Sequence, residues 1–130
     1  MRTLIADDDF TNRRILQKII EAYSDYDVVM DGEEAAKAFE LAWQDKVPYD
    51  LILMDVMMPN QDGVDAVKKI RALEVEMGLK DSQKAKIIMI TALADQKTVK
   101  KSLLAGASWY LVKPISKAGL LEQIRKMNLI

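Results

Sequence analysis

The chain contains no cysteine and no histidine. Disulfides, thiol nucleophiles, Cys/His zinc sites and every catalytic arrangement whose base is imidazole are therefore excluded, and any metal ion must sit on oxygen. Glycine is sparse: Gly32, Gly63, Gly78, Gly106 and Gly119 make neither GxGxxG nor GxxxxGK[ST], which removes nucleotide binding in the manner of a kinase. Long apolar runs are also missing. No stretch approaches the roughly 20 apolar residues of a membrane span, and the run before Asp7 is too short for a signal peptide. The expected compartment is cytoplasmic.

What is present is a chain of 130 residues, half of them apolar and 30% charged, a balance that can bury a core and still dissolve. That length predicts a single domain over residues 1–130. The net charge of -1 argues against a nucleic-acid binder, yet it hides an asymmetry. Residues 1–65 carry 6 Lys+Arg against 15 Asp+Glu, a net of -9, while residues 66–130 carry 13 against 5, a net of +8. Such a division suits oriented docking of a partner, and its plain alternative is two solvated faces.

Five short apolar runs recur along the chain: Leu4–Ala6, Val28–Met30, Leu51–Met54, Ile87–Ile90 and Trp109–Val112. They lack polar alternation, as strands covered on both faces do. Helical periods lie between them. Ile15, Ile19 and Ala22 share one face of the first, Ala35, Ala38, Phe39 and Ala42 of the second, and Val67, Ile70 and Met77 of the third; further segments run near Asp95–Ala105 and Lys117–Met127. Strands alternating with helices predict a doubly wound α/β domain with a parallel sheet and right-handed crossovers. Gly106 fits a helix C-cap, and Lys80–Lys84 is a rather long polar connection.

In open α/β sheets, ligands bind outside the carboxyl ends of the strands. Asp7, Asp8 and Asp9 follow the first run, Asp55 the third, Thr91 the fourth and Lys113 the fifth. Carboxylates gathered at one edge either shift their pKa values or take up a cation. With no imidazole or thiolate available a hard divalent ion is favoured, and Mg2+, which uses one or two carboxylates plus phosphate oxygens, suits this inventory. Asp9 or Thr11 has a simpler reading as a helix cap, Thr91 as a strand-end residue, and Lys113 as a surface lysine before Pro114. A flavodoxin is excluded because three aspartates would stand where a phosphate loop belongs.

The order Asp7-Asp8, Met54-Asp55-Val56-Met57-Met58-Pro59 with Asp62-Gly63, Thr91-Ala92 and Lys113-Pro114 resembles the CheY-like receiver domain of two-component response regulators. The resemblance covers essentially the whole chain and implies a flavodoxin-like fold, five strands in the order 2-1-3-4-5 with five helices. It implies that Asp55 is the phosphoacceptor, taking a phosphoryl group from a phosphohistidine of a sensor histidine kinase or histidine phosphotransfer domain. Asp8, Asp55 and the backbone carbonyl of Met57 would bind Mg2+, with Asp7 acting through a coordinated water. Lys113 and Thr91 would each engage a phosphate oxygen, the Lys113-Pro114 bond would be cis, and Ala92 is small as the family's pattern requires. Tyr110 matches the switch position coupled to Thr91, for which, as for Trp109, core packing is the plain alternative. Such a protein is a phosphoacceptor that assists its own phosphorylation and slow dephosphorylation, signalling to a downstream protein target without touching nucleic acid or membrane.

Met57 and Leu93 stand where members that shed phosphate fast carry polar side chains, so the phosphoryl group is expected to be long-lived. Two other classes compete. Asp7-Asp8-Asp9-Phe10-Thr11 contains D-x-D-x-T, the motif of a haloacid-dehalogenase-like phosphatase with Asp7 as nucleophile and Asp9 as acid. Downstream of Lys113, however, the only acidic side chain is Glu122. The other is a receiver fold serving as an unphosphorylated binding module, against which the intact set of Asp7, Asp8, Asp55, Thr91 and Lys113 argues. No output domain is expected within the chain, which reads as a stand-alone regulator or a domain of a longer protein.

Overall fold

The computed structural model describes residues 1–58, 62–92 and 95–130. Strands and helices alternate: β1 (Arg2–Ala6), α1 (Phe10–Ile20), β2 (Asp25–Val29), α2 (Gly32–Gln44), β3 (Leu51–Asp55), α3 (Gly63–Glu76), β4 (Lys86–Thr91), α4 (Gln96–Ala105), β5 (Trp109–Val112) and α5 (Lys117–Lys126). All neighbouring strands pair in parallel, in the order β2-β1-β3-β4-β5. This is the flavodoxin-like doubly wound sheet. The polar connection before β4 folds into a 3-10 turn at Asp81–Gln83.

Successive strand residues point to opposite faces, so an uninterrupted apolar run serves two cores at once. Leu4, Ile52, Met54, Ile87 and Met89 meet Phe39 of α2 and Val67 and Ile70 of α3 on one face. Ile5, Leu53, Ile88 and Ile90 meet Leu16 and Ile20 of α1 and Leu120 and Ile124 of α5 on the other. Burial of each such side chain contributes about 1.5–3 kcal/mol. Register then aligns the carboxyl ends: Ala6 lies beside Met54, Asp55 beside Ile90, and Thr91 beside Val112. Among the described residues no helix is long and apolar enough to cross a membrane.

Several local expectations are corrected. The buried stripe of α1 is Leu16, Ile19 and Ile20, while Ile15 is exposed and Ala22 lies past the helix end at Ile20. Residues at i, i+3 and i+4 from Leu16 are the ones that meet the sheet. In α3 the stripe is Ala66, Val67, Ile70 and Glu74, and Met77 is an exposed C-cap residue. Met30 falls outside β2 and is exposed. The outer strands β2 and β5 touch a core on each face, through Val29 and Tyr110 on one side and Tyr26, Val28 and Leu111 on the other. Their residues are nevertheless only partly buried or exposed, because each strand is an edge of the sheet with a neighbouring strand on one side only. Gly106 caps α4 in the left-handed region at φ 116.

Candidate functional site

Asp55 ends the central strand β3 and Asp7 directly follows β1, its neighbour. Both carboxylates are buried, 3% and 1% exposed, whereas Asp8 lies at the surface. One oxygen from each of Asp7, Asp8 and Asp55 falls within 4.8 Å of the others. Lys113, just beyond β5, brings its Nζ 3.3 Å from Asp55 Oδ1 and 3.9 Å from Asp7 Oδ2. Thr91 is buried at the end of β4, and its carbonyl accepts the Lys113 amide at 2.8 Å. The Lys113-Pro114 bond is cis.

The backbone around these groups is fixed by short local devices. Asp9 caps α1, accepting the amides of Thr11 at 2.8 Å and Asn12 at 3.4 Å, so it serves the helix and is not in the carboxylate cluster. The Asp9 amide in turn donates to Asp7 Oδ1 at 2.9 Å, and Arg13 Nη1 donates to the Asp7 carbonyl at 3.1 Å. The Met57 amide donates to Asp55 Oδ1 at 3.3 Å. Gly63 opens α3 beneath Asp55, where a Cβ would overlap the Asp55 carbonyl oxygen. That close approach requires glycine. Arg13 and the Met57 amide are the site-shaping groups that sequence patterns did not single out; Gly63 was named within the motif, but not for this close approach. The Asp62-Gly63 pair stands at a helix start, where Asp62 is the cap.

Burial disfavours the ionised form of a carboxyl group, and a neighbouring anion adds to the effect. Asp55 is pushed up to about 6, first by burial and then by the Asp7 charge, with Lys113 pulling the other way. Burial likewise raises Asp7, opposed by the Asp9 amide and Lys113. One lysine does not balance this cluster. Asp7 Oδ2 is buried and has no hydrogen-bond partner among the described residues, which costs stability unless another group supplies one. An all-oxygen donor set with an orphaned carboxylate oxygen fits a hard divalent cation.

Tyr110 on β5 is partly buried and stacks on Trp109 at 5.3 Å between ring centroids, while Trp109 itself is 43% exposed and not a core residue. Tyr110 lines a cavity of about 510 Å³ with Val99, Lys100, Leu103 and Leu104 of α4. The structure thus brings together Asp7, Asp8, Asp55 and Lys113 as the sequence predicts, puts Thr91 at the same sheet edge, and places Tyr110 against α4. Leu93, paired with Met57 in the sequence reading, lies outside the described residues. Met57 is 65% exposed.

Known proteins arrange their chains in the same way. The family model for the response regulator receiver domain matches residues 3–125. The chemotaxis protein CheY of Treponema pallidum is 36% identical over 125 residues, covering 95% of this chain and 79% of that protein. The structure of the CheX-CheY-BeF3-Mg2+ complex from Borrelia burgdorferi superposes with a TM-score of 0.84 at 28% identity, covering 98% of this chain and 89% of that one. The receiver domain of Saccharomyces cerevisiae Ssk1, solved with the histidine phosphotransfer protein Ypd1, gives 0.85 at 29% identity, covering 100% and 92%. Taken with the parallel 2-1-3-4-5 sheet and the acidic cluster at its carboxyl edge, these matches show that the chain belongs to the response regulator receiver domain family.

Proposed function

We propose that residues 1–130 form a receiver domain in which Asp55 accepts a phosphoryl group from the phosphohistidine of a sensor histidine kinase or histidine phosphotransfer domain. The observation that carries this is the position of Asp55: buried on the central strand, with Asp7 and Asp8 on one side and Lys113 at 3.3 Å. A carboxylate oxygen of Asp55 attacks phosphorus, the phosphorus–nitrogen bond breaks, and its electron pair leaves with the partner's imidazole. Lys113 then pairs with one phosphoryl oxygen and the Thr91 hydroxyl donates to another. Asp7, Asp8, Asp55 and the Met57 carbonyl are the groups that would hold Mg2+, which neutralises charge as two anions meet. The solved relatives with BeF3 and Mg2+, and with Ypd1, support this choice of ion and partner. The protein acts on itself and has no turnover substrate. We assign it to the cytoplasm, with a protein target downstream.

The capture of Asp9 by the α1 amides argues against the phosphatase alternative, which needs that carboxyl as its acid. The output face is read at Tyr110 and α4, where Lys97, Lys100 and Lys101 are exposed, so the target presents acidic groups to it.

Intact-mass measurement with a small-molecule phosphodonor and Mg2+ tests the assignment. One phosphoryl group adds to the wild type and none to Asp55→Asn or in EDTA; addition that survives either change overturns the role of Asp55 and returns Asp7 as nucleophile. The apolar Met57 orients no water toward the phosphorus. Positioned polar assistance is worth roughly 100- to 10,000-fold, so Met57→Asn/Leu93→Glu accelerates phosphate loss at fixed Mg2+ and pH. Equal or slower decay removes these positions from control of the lifetime.

A further inference from the structure

One buried charge pair has no part in this phosphotransfer. Glu74, in the last turn of α3, is fully buried, and Arg71 one turn earlier reaches its Oε1 with Nη1 at 2.7 Å. The same Nη1 donates to the carbonyl of Ala85 at 2.8 Å, and Arg71 Nε donates to the carbonyl of Gly106 at 2.9 Å. Glu74 Oε2 accepts the Ala85 amide at 2.9 Å. Two side chains of α3 therefore grip the entry to β4 and the C-cap of α4. The seat is close: a Cβ at Gly106 would come within 2.7 Å of Arg71 Cγ.

The other end of α4 is held differently. Among the residues of α4 only Ser102 is buried, and its hydroxyl turns back to the Thr98 carbonyl at 2.9 Å. At the N-terminal end, Asp95 accepts the Thr98 amide at 2.7 Å, a bond inside the helix's own first turn. Alongside the helix, bordered by Tyr110 and by exposed side chains of α4 such as Lys100 and Leu104, lies the open groove of about 510 Å³. The start of β5, in contrast, is tied to β4: Ser108 donates its amide to the Ile87 carbonyl at 2.8 Å and accepts the Ile87 amide on Oγ at 3.0 Å.

We propose that Arg71 is a positioning residue of the switch face, fixing the C-terminal end of α4 at Gly106 so that the helix moves by swinging its N-terminal end over Tyr110. What drives the swing rests on the reading of Asp55 as phosphoacceptor; the pivot is a property of the resting protein. With Gly106 and Ser108 bonded into one frame, Tyr110 keeps its place while α4 changes the space above it. The N-terminal end is also the one that follows Thr91 in the chain, so a change at the site enters the helix at the end that Arg71 does not hold.

Amide hydrogen exchange by NMR on the whole chain tests this in the resting state and with BeF3 and Mg2+. The variant Arg71→Met/Glu74→Gln removes both charges together and leaves an acceptor for the Ala85 amide. Amides from Leu103 to Gly106 lose about tenfold or more protection, beyond any loss at Leu4 and Leu53, which report global stability. Arg71→Lys, which keeps the charge but not the fork of donors, gives a smaller loss at the same amides and carries the comparison if the double variant is poorly folded. In the wild type, BeF3 changes exchange most near Thr98–Lys100 and least at Gly106; in the double variant the change reaches Gly106. Unchanged protection at Leu103–Gly106, or a loss shared equally with Leu4 and Leu53, overturns the pivot, as does a wild-type response strongest at Gly106. If BeF3 leaves the Asp55 and Met57 amides unperturbed, the phosphoacceptor reading falls, and the resting-state comparison still decides the pivot.

Discussion

Arg71 and Glu74 at the end of α3, and Asp7, Asp55 and Lys113 at the carboxyl edge of the sheet, both take charge out of water, and they resolve it in opposite ways. Around Glu74 each carboxylate oxygen has a donor, from Arg71 and from the Ala85 amide. Around Asp55 two buried acids share one lysine, and Asp7 Oδ2 is left without a hydrogen bond among the described residues. The protein completes the first cluster by itself and leaves the second short of positive charge, as the proposed cation site requires. The difference separates a structural ion pair from a candidate functional site.

The largest effect expected from breaking this contrast is at α3. Removing one partner of a buried pair strands the other, at a cost of about 3–5 kcal/mol, so Arg71→Ala lowers the denaturant midpoint by that equivalent; a change under 1 kcal/mol makes the pair dispensable. Removing an acid from the other cluster has the opposite sign. Folded Asp55 titrates near 6 against 3.8 for an ordinary aspartate. Between these values the folded state holds a proton that the unfolded chain releases, so this contribution to stability is full below pH 3.8 and is lost as pH rises through about 6. Asp55→Asn is therefore more stable than the wild type at neutral pH and low divalent ion, by on the order of 2 kcal/mol, and the two converge near pH 4. A destabilised Asp55→Asn at pH 7 breaks the contrast. The smallest effect is that of Mg2+ itself. A ligand at ten times its dissociation constant stabilises by about 1.4 kcal/mol, so calorimetry shows a Mg2+-dependent rise in Tm that shrinks below pH 6 and in Asp55→Asn. A rise equal in both proteins places the ion elsewhere.

The second cluster was legible in the sequence and the first was not. Asp7, Asp55, Thr91 and Lys113 each follow an apolar run of strand length, so a parallel sheet carries all four to one edge before any distance is known. Arg71 and Glu74 have no such marker. An i, i+3 ion pair on a helix reads as surface decoration, and Glu74 continues the stripe of Val67 and Ile70 only because Arg71 follows it inward. The face of α1 was misjudged for a related reason. Ile15 and Leu16 are equally apolar, and only the angle at which the helix meets the sheet decides that Leu16 is buried. The exposure of β2 and β5 was hidden too, since an edge strand and a central strand can share a composition while strand order sets their cover.

The division of charge along the chain also bears on how the protein is made. Asp7 and Asp55 belong to the acidic half, residues 1–65 with a net of -9, and Lys113 comes from the half that carries +8. During synthesis the N-terminal part emerges first, so β1 and β3 can pair long before the lysine that tempers their carboxylates has been translated. Until then any pairing of β1 with β3 holds Asp7 and Asp55 side by side without that counter-charge. Completion of β5 and arrival of Lys113 would coincide with the moment at which the newborn chain first becomes able to receive a signal.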